Sequence, residues 1–233
     1  MDTLSFPDHF LSPTIRVIVG PEKTVYHIHQ EILKTRSPYF ARLLSFGGTE
    51  VTENTITLFD PIQPDAIRAF IEFIYTGNYQ LPKRSDEIHR GKVCLLVAQI
   101  YVLADMMCMD DLKVAAVDSM VDLLMEDAIH NSPFTKVVEY VYGNTTHMSK
   151  TEGGKTVPRD ELRAILSAYC CCYIESWMDY EEFSTMVRTN SEFAVDMLYQ
   201  LKGNSKAFDD IQSARRRKRK VEKYGIKLLV ERN

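Results

Sequence analysis

Every run of strand-like alternation in this 233-residue chain lies before residue 60. Ile15–Val19 (IRVIV) reads as a short strand and Thr24–Ile28 (TVYHI) as a second. Gly20-Pro21-Glu22-Lys23 between them is a turn, so the pair predicts a hairpin. Thr55–Phe59 (TITLF) alternates with period two and predicts a third strand. Beyond it the apolar residues recur at helical spacing and no further strand is expected.

The helices are punctuated clearly. One is expected from about His29, with Ile32 and Leu33 on its apolar face. Ser37-Pro38 restarts the chain: Ser caps a helix, and Pro fits a first position that needs no amide. That helix places Tyr39, Phe40, Leu43 and Leu44 inward, and Gly47-Gly48 ends it. Pro64 opens the next, with Ile67, Phe70, Ile71 and Ile74 at helical spacing, and Gly77 stops it. Tyr79–Gly91 reads as a loop. Further stripes follow at Val93, Leu96, Val97, Ile100 and Ala104, then at Leu112, Ala115, Ala116, Ser119, Met120 and Leu123. Ser132-Pro133 opens a helix through about Tyr142, and Asn144–Pro158 reads as a flexible connection. Leu162, Ile165, Leu166, Tyr169, Cys170, Tyr173, Ile174 and Trp177 form a broad stripe, and Phe193, Met197, Leu198 and Leu201 a shorter one.

With 45% hydrophobic and 26% charged residues, the composition is that of a globular protein. The net charge of −4 hides an asymmetry. Ile211–Asn233 holds 9 of the 28 Lys and Arg and 2 of the 32 Asp and Glu, a tail of +7 on a body of −11. An acidic body argues against broad nucleic-acid binding. The five cysteines are odd in number and three are consecutive, a poor disulfide framework that points to a reducing compartment. The opening MDTLSFPDHFLSP lacks the charged start and apolar run of a signal peptide. Val93–Ala104 is far short of the roughly 20 apolar residues of a membrane helix. The expectation is a soluble intracellular protein, in the nucleus, the cytoplasm or both.

No catalytic, cofactor or metal site is expected. His27 and His29 share a face of an extended strand, but no third ligand of suitable spacing follows. His27 is expected to face solvent and His29 to be structural, at a strand-to-helix junction. Cys170-Cys171-Cys172 on a helix point about 100° apart and cannot converge on one metal, so they read as small buried packing residues. Gly153-Gly154-Lys155-Thr156 lacks the first glycine of a phosphate-binding loop. The pairs Asp110-Asp111, Glu181-Glu182 and Asp209-Asp210 read as solvated helix ends. The run Arg215-Arg216-Arg217-Lys218-Arg219-Lys220 must be solvated and is a candidate nuclear-import signal. Sequence-specific DNA binding is not expected, since no zinc finger or basic zipper accompanies it.

The first half resembles the BTB/POZ family. The motifs fall in the family's order: the opening hairpin, His29-Gln30-Glu31-Ile32-Leu33, Ser37-Pro38-Tyr39-Phe40, Ile56-Thr57-Leu58, then Ala69–Gly77 ending in Ile74-Tyr75-Thr76-Gly77, and Tyr101–Asp105 followed by Leu112. The motif residues are His29, Leu33, Ser37, Tyr39, Phe40, Tyr75 and Gly77. The second half is similar to the helical extension that follows BTB domains in fungal proteins, through Val137–Tyr142, Asp160–Arg163 and Glu192–Ala194. The resemblance implies an α+β BTB/POZ domain over residues 12–125 and an all-α extension over 126–203. A basic tail over 204–233 follows, expected to be partly helical or disordered.

What the family implies about function is a non-enzymatic adaptor that dimerises, with itself or a related chain, and recruits protein partners. Two alternatives are a substrate adaptor of a cullin-type ubiquitin ligase and a nuclear regulator acting on chromatin through the tail. Two positions depart from the family. Thr14 stands where many members have an Asp that shapes a dimer-interface pocket. Relatives that dock cullins carry an apolar residue two before a loop Glu; here the Glu is Glu50 and the residue is Gly48. Cullin contact is therefore expected to be weak. No small-molecule substrate and no membrane partner are expected.

Overall fold

The computed structural model describes residues 10–58, 63–82, 87–126, 132–146, 150–152, 155–157, 160–203, 206–213 and 216. The chain divides into two compact units, Met1–Ser85 with Leu95–Ser119, and Asp86–Cys94 with Met120–Asn233.

In the first unit β1 (Thr14–Val19) pairs antiparallel with β2 (Thr24–His29), from Thr14 opposite His29 to Val19 opposite Thr24. Gly20 and Lys23 turn the chain with positive φ of 70° and 51°. The helices α1 (Gln30–Arg36), α2 (Pro38–Ser45) and α3 (Thr49–Thr52) carry the chain back to β3 (Thr55–Leu58), which lies parallel to β1 on its other side. The sheet order is β2-β1-β3. Alternation decides its buried face: Ile15, Val17, Val19, Ile28, Ile56 and Leu58 point inward. The chain continues into α4 (Pro64–Thr76), whose buried residues include Ile67, Phe70, Phe73 and Ile74. The long helices α5 (Glu87–Met106) and α6 (Asp110–Glu126) follow, with Leu95–Met106 and Asp110–Ser119 in this unit and Glu87–Cys94 and Met120–Glu126 in the second. The loop expected to run through Gly91 is shorter, because Glu87–Gly91 is already helix and Gly91 is buried in it.

Phe40 is fully buried on α2, but Tyr39, Leu43 and Leu44 are only half-buried. The four side chains expected inward are thus turned from water to different extents, because an eight-residue helix on a small sheet brings only a narrow stripe to full burial.

The second unit is helical. Its elements are α7 (Ser132–Asn144), α8 (Glu161–Cys172), α9 (Ile174–Trp177), α10 (Glu181–Thr189) and α11 (Ser191–Leu201). Between α7 and α8 lies a short antiparallel hairpin, β4 (Lys150–Glu152) with β5 (Lys155–Val157), in the stretch expected to be an unstructured connection. The core is a chain of ring contacts. Tyr169 packs on Phe134, Phe134 stacks on Trp177 at 5.3 Å, and Trp177 stacks on Phe183 at 5.2 Å. Phe183 then meets Phe193, which meets Tyr142 edge-on. The expected stripe on α11 is half right: Phe193 and Met197 are buried, whereas Leu198 and Leu201 face solvent.

Candidate interaction surface

His29 closes β2 and sits at the N-cap of α1, but its ring does not cap the helix. Its backbone N–H donates to the Tyr75 hydroxyl at 3.1 Å, and that hydroxyl lies 2.8 Å from Nδ1. The Phe10 ring packs against both partners, 5.5 Å from His29 and 6.1 Å from Tyr75. Two motif residues 46 positions apart are thus one joint, fastening the strand-to-helix corner to the end of α4. Gly77 ends that helix with φ 76°, donating its amide to the Phe73 carbonyl. His27 is exposed.

Ser37 is fully buried and works in both directions. Its Oγ accepts from the Phe40 amide at 3.4 Å, capping α2, and donates to the Met107 carbonyl just beyond α5 at 2.7 Å. The second contact was not legible in the sequence. Ser37→Ala removes a cap, worth about 1 kcal/mol, and strands a buried carbonyl, costing about 1–3 kcal/mol more. Chemical denaturation is expected to show about 2–4 kcal/mol of destabilisation. A change under about 0.5 kcal/mol, as for an ordinary surface site, contradicts this.

The corner between α2 and β3 holds the two residues expected to bear on cullin contact. Gly48 is the N-cap of α3 and Glu50 lies in its first turn. The Gly48 backbone, at φ −70°, is open to any residue. A Cβ there would lie 2.8 Å from Glu50 Oε2, a flexible side-chain end that can swing away. Two apolar side chains near Gly48 stand in water, Phe46 at 86% exposed and Val51 at 44%. Sequence reasoning missed Phe46, since an aromatic beside a helical stripe is ordinarily assigned inward. Leu33, the remaining motif residue, is fully buried under α1.

The arrangement is a partly open sheet capped by helices, with motif residues spent on internal joints and an apolar corner left in water. The BTB/POZ domain family model matches residues 13–123. The chain carries a BTB/POZ domain. Its motif residues His29, Ser37, Tyr75 and Gly77 hold the BTB fold together, and Phe46 and Val51 belong to its surface. BTB/POZ domains are protein–protein interaction modules.

The extension after the BTB domain is organised by polar groups as well as rings. Asp160 caps α8 by accepting from the Arg163 amide at 3.0 Å. The Arg163 side chain is 2% exposed. It pairs with Glu192 on α11, donates from Nε to Thr145 Oγ1 at 2.7 Å, and donates to the Tyr142 and Thr145 carbonyls. Its guanidinium also lies over the Tyr142 ring, 4.4 Å from the centroid. Tyr142 in turn donates its hydroxyl to Asp196 Oδ2 at 2.7 Å. Burial first, then the Asp196 carboxylate, push the Tyr142 pKa up, so its proton stays available to that bond. The three segments resembling a fungal-type extension are therefore physically joined.

All five cysteines are thiols, and Cys170, Cys171 and Cys172 are buried. Burial raises the Cys170 pKa well above its ordinary value and that of Cys171 to about 12, which keeps both protonated and unreactive near neutrality. Among the described residues no cluster of His, Cys, Asp and Glu is placed to hold a metal ion. No described helix is long and apolar enough to cross a membrane. Of the basic run, Arg215 and Arg217, Lys218, Arg219 and Lys220 lie outside the described residues; Arg216 is described and exposed.

Proposed function

We propose that the protein is a non-enzymatic intracellular adaptor that dimerises through its BTB domain and recruits a protein partner at the Phe46 corner. The observation that carries this reading is Phe46 itself, an aromatic 86% exposed, with Val51 exposed five residues on. Large side chains left in water on an interaction module are the usual anchors of an interface, where a few aromatic residues hold most of the binding energy. The extension and tail, from about residue 126, then act as a separate module that fixes or localises the complex.

The test is affinity purification of the full chain with mass spectrometry, wild type against Phe46→Asp. Partners are expected to fall at least tenfold, since losing a central aromatic anchor costs about 2 kcal/mol or more and each 1.4 kcal/mol is a decade. The melting temperature is expected to hold. An unchanged partner list sinks the proposal. Recovery of a cullin scaffold as the main wild-type partner would replace it with the ubiquitin-ligase reading, which Gly48 argues against.

The basic run is proposed as a nuclear-import signal, supported by six adjacent cations that cannot be buried without a large desolvation cost. Replacing Arg215–Lys220 with alanine is expected to lower nuclear fluorescence of the tagged protein while the melting temperature stays within about 1 °C. Unchanged localisation with lower stability would instead make the tail a strap on the acidic body. A steep salt dependence of DNA binding by the intact protein would favour the chromatin reading.

A further inference from the structure

Strand β2 ends the sheet order β2-β1-β3, so among the described residues it has a strand neighbour on one side only. Hydrogen bonds elsewhere fix which main-chain groups it leaves open. The His29 amide donates to Tyr75, and the amide of Arg16, which stands opposite His27, donates to the Asn54 carbonyl on the β3 side. Pairs in an antiparallel ladder alternate between those that exchange hydrogen bonds and those that do not. Thr14–His29, Arg16–His27 and Ile18–Val25 are the pairs that do not. Val25 and His27 therefore direct their N–H and C=O away from β1. Tyr75 takes the His29 amide and closes that end of the edge.

Natural sheets blunt such edges with proline, charged side chains or a bulge. Thr24–His29 holds no proline and no Lys, Arg, Asp or Glu, and its register against β1 runs unbroken from Thr14–His29 to Val19–Thr24. The outward side chains form rows across the sheet. His27 stands opposite Arg16, both exposed, and Val25 opposite half-buried Ile18. Val25 is itself 41% exposed. Among the described residues Arg16 forms no ion pair.

We propose that the β2 edge takes an extended acidic peptide of a protein partner as a fourth, antiparallel strand. A carboxylate lies beside His27 and, two residues on, an aliphatic side chain beside Val25. The peptide main chain meets the open groups of Val25 and His27, and cross-strand neighbours select its side chains. An acid extends the Arg16–His27 row, and a branched apolar residue extends the Ile18–Val25 row. A second copy of the chain fits less well. Two β2 strands about a two-fold axis set His27 beside Val25 or beside the other His27, which matches neither row. Two open residues also offer far less than the roughly 800 Å² per partner of a stable dimer.

Heteronuclear NMR on the nitrogen-labelled full chain tests the proposal. The probe is a capped seven-residue peptide, threonine throughout except for glutamate at its third position and isoleucine at its fifth. Saturable shifts are expected at the Val25 and His27 amides. Methylating the glutamate and isoleucine amides of the peptide, which face β2, is expected to abolish them. Methylating the threonine amide between, which faces away, is expected to leave them. Lysine in place of the glutamate is expected to weaken binding about threefold, and His27→Glu, at an exposed position, to reverse that order. No shifts with the wild type, shifts that survive methylation of the facing amides, or an order unmoved by His27→Glu each overturn the proposal. Loss of the shifts on Phe46→Asp also overturns it and gives the peptide to the corner between α2 and β3. Exchange at Val25 and His27 that slows with rising protein concentration, without peptide, overturns it in favour of a second copy.

Discussion

Phe40→Ala is expected to destabilise the protein by about 3–5 kcal/mol, the range for truncating a large buried aromatic. The side chain is fully buried, its ring 6.0 Å from that of Phe70 on α4 and 5.1 Å from that of Tyr39. It follows the Ser37 cap directly, so the backbone there is pinned and cannot collapse into the space left behind. Against a total stability of typically about 5–15 kcal/mol, such a loss puts folding at risk at body temperature. Denaturant midpoints check it, with Leu43→Ala as the comparison. Leu43 is half-buried and is expected to cost clearly less. Equal effects at the two positions would mean that α2 presents a broader buried face than it does here.

Arg163→Ala is expected to cost a similar amount, about 3–5 kcal/mol, for a different reason. The guanidinium is buried and satisfies Thr145 Oγ1 and the carbonyls of Tyr142 and Thr145. Removing it leaves buried acceptors without a donor, and breaking a buried charge network from one side is among the more costly single changes. Glu192 is half exposed, at 51%, so Glu192→Ala returns a solvated partner to water and is expected to cost under about 1 kcal/mol. Arg163→Lys keeps the charge but loses the planar fork, and little rescue is expected. Thermal unfolding of the three variants decides it: equal, small shifts for Arg163→Ala and Glu192→Ala would reduce the network to an ordinary surface pair.

The parts of the fold legible in the sequence were those fixed by local signals. The opening hairpin, the Ser37-Pro38 restart and the Gly77 stop each depend on a few adjacent residues, and each lies where it was expected. The β4–β5 hairpin was missed because three-residue strands leave no period to measure, although a Gly-Gly pair in the sequence is a known hairpin signal. On α11 Phe193 and Met197 lie inward as expected and Leu198 and Leu201 do not, since a helix apolar on both sides gives no sign of which one is buried. Arg163 and Phe46 drew no expectation from the sequence. A charge argues for the surface and an aromatic for the core, and only tertiary partners, or their absence from a corner, reverse that.

The joint between Ser37 and Met107 also bears on the order of events in folding. The two residues are 70 positions apart, so the bond forms only after a long loop has closed and its entropy has been lost. Helix α2 must start from the local half of its cap alone, the contact to the Phe40 amide. The Met107 half arrives with α5, late on the path. Energy gained that late slows escape from the native state more than it speeds entry, so the serine acts as a latch whose removal shows chiefly as faster unfolding.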